Sequence, residues 1–183
     1  MIRMETDRLV LRSPRPGDLE AVHTAANDQR ILRNLLLPKD QTRKLTRDYL
    51  RRARLDERRG TGYHFAVLPR GTTEIAGMVS LMERNEQHAR AELGYWIAVP
   101  HWRKGYGREA VGKVLEYGFR TVKLRKIFAT TVLTNDASAG LLQSVGFEHQ
   151  GLLQKHAKVR GRWWDLNYWE LLRETWQESR RRK

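Results

Sequence analysis

Residues 8–12 (Arg-Leu-Val-Leu-Arg) alternate polar and apolar side chains, which predicts a short strand. Pro14, Pro16 and Gly17 end it, and a helix starting near Asp18 carries Ala21, Val22 and Ala25. Residues 40–59 read as a second, highly charged helix with a narrow apolar stripe of Leu45, Tyr49, Leu50 and Ala53, closed by Gly60 and Gly62. Three strands follow, Tyr63–Leu68, Ile75–Met82 and Glu92–Val99, and their short connections predict an antiparallel meander. The period then changes. Ala110, Val111, Val114, Leu115, Gly118 and Phe119 recur at helical spacing, and Lys126–Leu133 is an apolar, β-branched strand. Ala137, Leu141, Leu142 and Val145 mark a short helix that Gly146 would terminate, and two late strands flank the turn at Arg160–Arg162. This order predicts an α/β or α+β mixed sheet in a single domain. Its core should run from about residue 5 to 172, and residues 173–183 should form a basic tail, frayed over its last four residues.

Composition narrows the classes. A chain of 183 residues can bury a core without staples, and 40% hydrophobic residues is too many for a disordered chain. The absence of Cys excludes disulfides, thiolate zinc sites and cysteine nucleophiles, and it fits a cytoplasmic, reducing compartment. No apolar run approaches the roughly 20 residues of a membrane span, and the opening MIRMETDRLVLR lacks the apolar core of a secretory signal. Six scattered His have no metal-ligand spacing, so no metal is expected. The net charge of +14 points toward nucleic acid, and residues 41–60 hold eight basic side chains against three acidic ones. No RNP, KH, zinc-finger or helix-turn-helix signature accompanies that charge. A solvated helix face, with Asp48, Asp56 and Glu57 pairing locally, is the simpler account of it.

The most informative stretch is Trp102-Arg103-Lys104-Gly105-Tyr106-Gly107-Arg108-Glu109-Ala110, between a predicted strand and a predicted helix. At such a junction free N–H groups and the positive helix end converge on one point, and Gly removes the Cβ that would keep an anion away. Gly105-x-Gly107-x-x-Ala110 formally matches a dinucleotide fingerprint. That fingerprint expects an acid about 20 residues on, where Arg125 and Lys126 stand, and it expects the glycines directly after a strand. Gly107–Lys113 approximates a phosphate-binding P-loop, but Val114 replaces the Ser or Thr that would bind Mg²⁺.

A third pattern uses the whole neighbourhood. Ala91-Glu92-Leu93-Gly94-Tyr95-Trp96-Ile97, then Lys104-Gly105-Tyr106-Gly107 and the helix, resembles motif A of the GNAT superfamily of N-acetyltransferases. Asn135-Asp136-Ala137-Ser138, closed by Gly146-Phe147, resembles motif B. Thr6–Arg12 at the start and Gly161–Tyr168 near the end resemble the Rim-type branch, which includes acetyltransferases of ribosomal-protein N-termini. The similarity spans nearly the whole chain in the right order.

The resemblance implies the GNAT fold, a mixed sheet splayed near residues 97–99 and 132–135, with acetyl-CoA as co-substrate. It implies that backbone groups of Ile97, Ala98 and Val99 pair with the pantetheine arm. The loop Arg103, Lys104, Gly105, Tyr106, Gly107 and Arg108 would then hold the pyrophosphate through N–H groups and cationic side chains. Trp102 occupies the first position of the family's Gln/Arg-x-x-Gly-x-Gly/Ala motif, as Rim-type sequences tolerate. Amine acetylation needs a proton acceptor, an oxyanion donor such as a backbone N–H near Ile97 or Ala98, and a donor to the departing thiolate. Glu92 is the candidate base, and an ordinary solvated strand charge is its alternative. The Tyr acid of many family members falls on Leu142, so Ser138 is the candidate acid, or else a helix-start hydroxyl. Asn135 would meet the pantetheine or acetyl group, or cap the same helix. Tyr63, His64, Trp163, Trp164 and Asp165 are weaker candidates for the acceptor site.

The implied acceptor is a primary amine: a protein N-terminus, ribosomal above all, or a small amine such as an amino acid, polyamine or aminoglycoside. The positive charge disfavours polycations and fits a target displayed on RNA or a ribosome. A basic RNA-associated module without catalysis is the rival, and the protein is expected to be a monomer or a homodimer.

Overall fold

A computed structural model describes residues 1–38 and 41–181. Two short strands, β1 (Arg3–Glu5) and β2 (Leu9–Arg12), precede three helices, α1 (Leu19–Ala26), α2 (Gln29–Leu32) and α3 (Arg43–Arg59). The meander β3 (Tyr63–Pro69), β4 (Gly77–Asn85) and β5 (Arg90–Ile97) leads into α4 (Tyr106–Arg120). The chain continues through β6 (Lys126–Val132), α5 (Asp136–Ser144), β7 (Glu148–Val159), β8 (Arg162–Leu172) and α6 (Arg173–Arg181). The strands form one sheet in the order β1-β2-β3-β4-β5-β6-β8-β7.

Both faces of the sheet centre are covered, which is why β3 reads as a continuous apolar run. Phe65 and Val67 point toward Val111, Val114, Leu115 and Phe119 of α4, in a core that also holds Trp169 and Leu171 of β8. Ala66 and Leu68 point the other way, toward Val22 of α1 and Leu50 of α3.

Neighbouring strands run antiparallel except β5 and β6. These pair in parallel only over Arg90–Glu92 and Lys126–Phe128. Beyond that point each follows its outer neighbour: β5 stays on β4 as far as Ile97, and β6 stays on β8 as far as Val132. The sheet therefore splits between two strands that each stay bonded along the outer edge and face each other across the gap along the inner one. The split opens at Leu93 and Ala129, several residues before the positions expected from the sequence.

Some expectations change. β1 has too few residues for local patterning and exists through its pairing with β2, Met4 opposite Leu11. In α3 the buried positions are Thr46, Leu50 and Ala53, while Leu45 is 41% exposed. The helix starts at Arg43 because the Thr42 hydroxyl accepts from the Leu45 N–H; Asp40 lies outside the described residues. The expected tail is instead α6. Trp176, 5% exposed, packs on Phe119 at 5.2 Å between ring centroids, with the guanidiniums of Arg120 and Arg180 over its ring. One buried aromatic thus carries the core past residue 172, where a charge count suggested solvent. Arg182 and Lys183 lie outside the described residues.

Candidate active site

Gly105 stands at the N-cap of α4 with φ +78°, a left-handed conformation that Gly adopts without strain. It has no side chain to cap the helix, so the first-turn N–H groups stay free for a ligand. Arg103, Gly105, Tyr106, Gly107 and Arg108 line a cavity of about 530 Å³, with Arg30 and Arg33 across from them. Lys104 is not in the lining, and its carbonyl accepts from Arg8 Nη1 at 2.9 Å.

A clamp from the N-terminus holds this loop. Glu109 Oε1 accepts from the Thr6 hydroxyl (2.6 Å) and the Arg8 N–H (3.0 Å), and Oε2 accepts from Arg8 Nε (2.7 Å). Burial pushes the Glu109 carboxyl up, but the bonds from Thr6 and Arg8 outweigh it and hold it below its ordinary value.

At the end of β5 only Ile97, of the three residues expected to meet pantetheine, lines the cavity. The Ile97 carbonyl accepts from Trp102 Nε1 at 2.7 Å, which gives Trp102 a structural task. The Ala98 N–H donates to Ala76 O (2.8 Å), so it is committed to the fold and is no longer available to an oxyanion. The carbonyls of Ala98 and Val99 accept from the N–H groups of His101 and Trp102 in a tight turn.

The split between β5 and β6 joins this cavity to a second one of about 350 Å³ beneath α1 and α3. Tyr95, Trp96, Asn135 and Ser138 line both. The Tyr95 hydroxyl lies 2.7 Å from Ser138 Oγ, and burial pushes its pKa up to about 12, so it stays protonated. Asn135 Oδ1 accepts from the Ser138 N–H at 3.2 Å. It therefore caps α5, as one of its two readings expects, and the residue also lines both cavities.

Glu92 reaches the second cavity from the same strand face as Gly94 and Trp96, as alternation predicts. Thr130 Oγ1 donates to Glu92 Oε1 at 2.9 Å. Burial raises the Glu92 pKa, Thr130 opposes the rise, and the charge of Glu83 adds to it. A half-buried carboxylate with a raised pKa beside an open cavity is suited to taking a proton. A polar row continues across the sheet: His64 Nδ1 lies 2.9 Å from Ser80 Oγ, and His64 Nε2 lies 3.5 Å from Asp56. Burial holds His64 below its ordinary value against the pull of Asp56. Ser80 lines the cavity; His64 does not, and Tyr63 packs against Tyr117. Trp163, Trp164 and Asp165 lie outside both linings.

Tyr95, Thr130, Arg30 and Arg33 escape a reading of the sequence. Tyr95 has core parity on its strand and reaches the site only because the sheet splits beside it. Thr130 had no motif at all.

A family model described as an acetyltransferase (GNAT) domain matches residues 8–148. The chain belongs to the GNAT acetyltransferase family. It is 29% identical over 170 residues to the Bacillus subtilis protein named uncharacterized N-acetyltransferase YoaA, covering 93% of this chain and 96% of that one. It is 28% identical over 190 residues to the [ribosomal protein uS5]-alanine N-acetyltransferase of Escherichia coli, covering 98% and 95%. Its fold matches spermidine N-acetyltransferase of Vibrio cholerae, solved with CoA and spermine, at a TM-score of 0.83 and 24% identity, covering 94% and 99%.

As a GNAT enzyme the protein is an acetyl-CoA-dependent N-acyltransferase, and the Rim-type resemblance agrees with its relatives. The uncapped first turn of α4 and the guanidiniums beside it fit the anionic end of CoA. The channel through the split leads from there to Glu92. Among the described residues no helix is long and apolar enough to cross a membrane.

Proposed function

We propose that this GNAT enzyme acetylates the N-terminal amino group of a protein in the cytoplasm, with ribosomal proteins as the first acceptor class. One observation carries the reading: Glu92 is the single carboxylate among the described residues lining the acceptor cavity, in walls built from Leu35, Leu36, Leu37, Met78, Met82 and Trp96. A single amine needs one proton acceptor, whereas a polyamine needs a carboxylate for each further ammonium it buries. The net charge of +14 also repels polycations at long range. The relative from Escherichia coli, named for a ribosomal-protein alanine, supports the same acceptor class.

In this mechanism Glu92, oriented by Thr130, takes the proton of the acceptor amine. Ser138 donates toward the departing sulfur, and the protonated Tyr95 hydroxyl behind it fixes its rotamer. Arg103, Arg108 and the first-turn N–H groups of α4 hold the pyrophosphate, and the Asn135 amide faces the pantetheine.

The test is an acceptor screen that follows CoA thiol release, using N-terminal peptides of ribosomal proteins, single small amines and spermidine. Peptides should turn over with the highest kcat/KM. Preference for spermidine would overturn the acceptor assignment. Acetyl-CoA at about 100 times its Kd should stabilise the fold by about 2.7 kcal/mol. An unmoved Tm would remove the cofactor site itself.

A further inference from the structure

The outer face of α3 carries a straight row of guanidiniums. Arg47, Arg51, Arg54 and Arg58 are spaced four, three and four residues apart and all are exposed. At 100° per residue they fall within about 60° of arc, and at 1.5 Å per residue they span about 16 Å of helix. The helix does contain acids, but the structure spends them elsewhere. Asp48 pairs with Lys44, Asp56 accepts from Thr61 and lies beside His64, and Glu57 pairs with the chain's amino terminus. Glu20, on α1, takes the Arg43 fork. Among the described residues none of the four arginines has a carboxylate within ion-pair distance.

Like charges at these spacings destabilise a helix. Of the acids expected to pair locally, Asp48 does so with Lys44, but none pairs with the four arginines, so the row remains a linear array of cations separated by about 4.5–6 Å along the axis. Guanidiniums in such an array suit phosphates, which each fork can grip through two N–H groups. An anionic membrane is a poorer match, because the apolar side of α3 (Thr46, Leu50 and Ala53) is buried and cannot insert. The opposite side of the helix supplies Thr46 and Tyr49 to the acceptor cavity, so a ligand on the row lies one helix away from the reacting amine.

We infer that the outer face of α3 docks on the phosphodiester backbone of an RNA, beside which the acceptor terminus is displayed. The choice of RNA rests on the acceptor reading above; the polyanion chemistry stands on the row alone.

Fluorescence anisotropy of the full-length protein with a labelled stem–loop RNA, across roughly 50–200 mM salt, tests this. Each phosphate contact contributes about 0.7–0.9 to the slope of log Kd against log salt, so the variant R47Q/R51Q/R54Q/R58Q should lose about three units of slope. Its Tm shift with acetyl-CoA should persist, which shows that it is folded. The control R52Q/R59Q, on a different arc of the same helix, should lose little. An unchanged slope in the quadruple variant, an equal loss in the control, tighter binding to a DNA hairpin of the same sequence, or capture by anionic vesicles in place of RNA would each overturn the assignment. Binding is read without turnover, so a failed acceptor screen leaves this result interpretable.

Discussion

Glu109→Ala tests how the N-terminal strand region supports cofactor binding. Glu109 is 16% exposed and gathers Thr6 and Arg8 onto the first turn of α4, while Arg8 also reaches the Lys104 carbonyl of the loop before α4. The Arg8 side chain is 53% exposed, so the ion pair itself is worth at most about 1 kcal/mol. The bonds from the Thr6 hydroxyl and the Arg8 N–H to an ionised acceptor contribute about 1.5–3 kcal/mol each at most. The charge at a helix N-terminus adds about 0.3–1 kcal/mol. These share one carboxylate and combine less than additively, so the loss should be about 2–4 kcal/mol. For a chain of this size that is a fall in Tm of about 5–15 °C. The loop loses its tether at Lys104, and about 1 kcal/mol of added freedom raises the acetyl-CoA KM roughly fivefold while the acceptor KM stays put. Thermal unfolding and steady-state kinetics on both substrates measure this. A fall in Tm with an unchanged acetyl-CoA KM would refute the tether, and an unchanged Tm would refute the clamp. The pH dependence follows from the lowered Glu109 pKa. Its contribution is present above the ordinary carboxylate range and is lost as the pH falls through the folded-state value, so wild type and E109Q should converge in acid.

Glu92→Gln should lower kcat by roughly 10²–10⁴-fold with the acetyl-CoA Tm shift intact, and unchanged turnover would remove Glu92 from the mechanism. Burial raises the Glu92 pKa, so wild type loses stability as the pH rises through that value; E92Q should gain relative to wild type there, as Tm against pH would record. Ser138→Ala should lower kcat with the acetyl-CoA Tm shift intact while Asn135 still caps α5, and unchanged turnover would remove Ser138 from the mechanism. Trp176→Ala should cost about 3–5 kcal/mol by emptying a core site, and full stability in that variant would return α6 to the status of a dispensable tail.

Much of the architecture was legible because it is written in local period. The alternation in residues 8–12, the helical spacing from Ala110 to Phe119 and the apolar runs of the meander each name an element before any partner is known. The glycine turn before α4 was equally legible, since a left-handed Gly before a helix is a backbone requirement that shows in the letters. Elements defined by contact were not. β1 is a strand only against β2, α6 is held by one Trp on Phe119, and Leu45 gives way to Thr46 on the buried side of α3. The same divide runs through the site. Glu92 was named from strand parity and family resemblance. Its environment comes from Thr130 on a strand that has already parted from β5 after Phe128, and Tyr95 enters the site only through that parting. The amino-acid sequence by itself determined the locally periodic elements, the glycine turn before α4 and the excess of cations, because each is a property of short stretches of chain. The tertiary structure alone decided where the sheet splits, which backbone donors are already spent, and which acids neutralise which bases, because those depend on pairings between residues far apart along the chain.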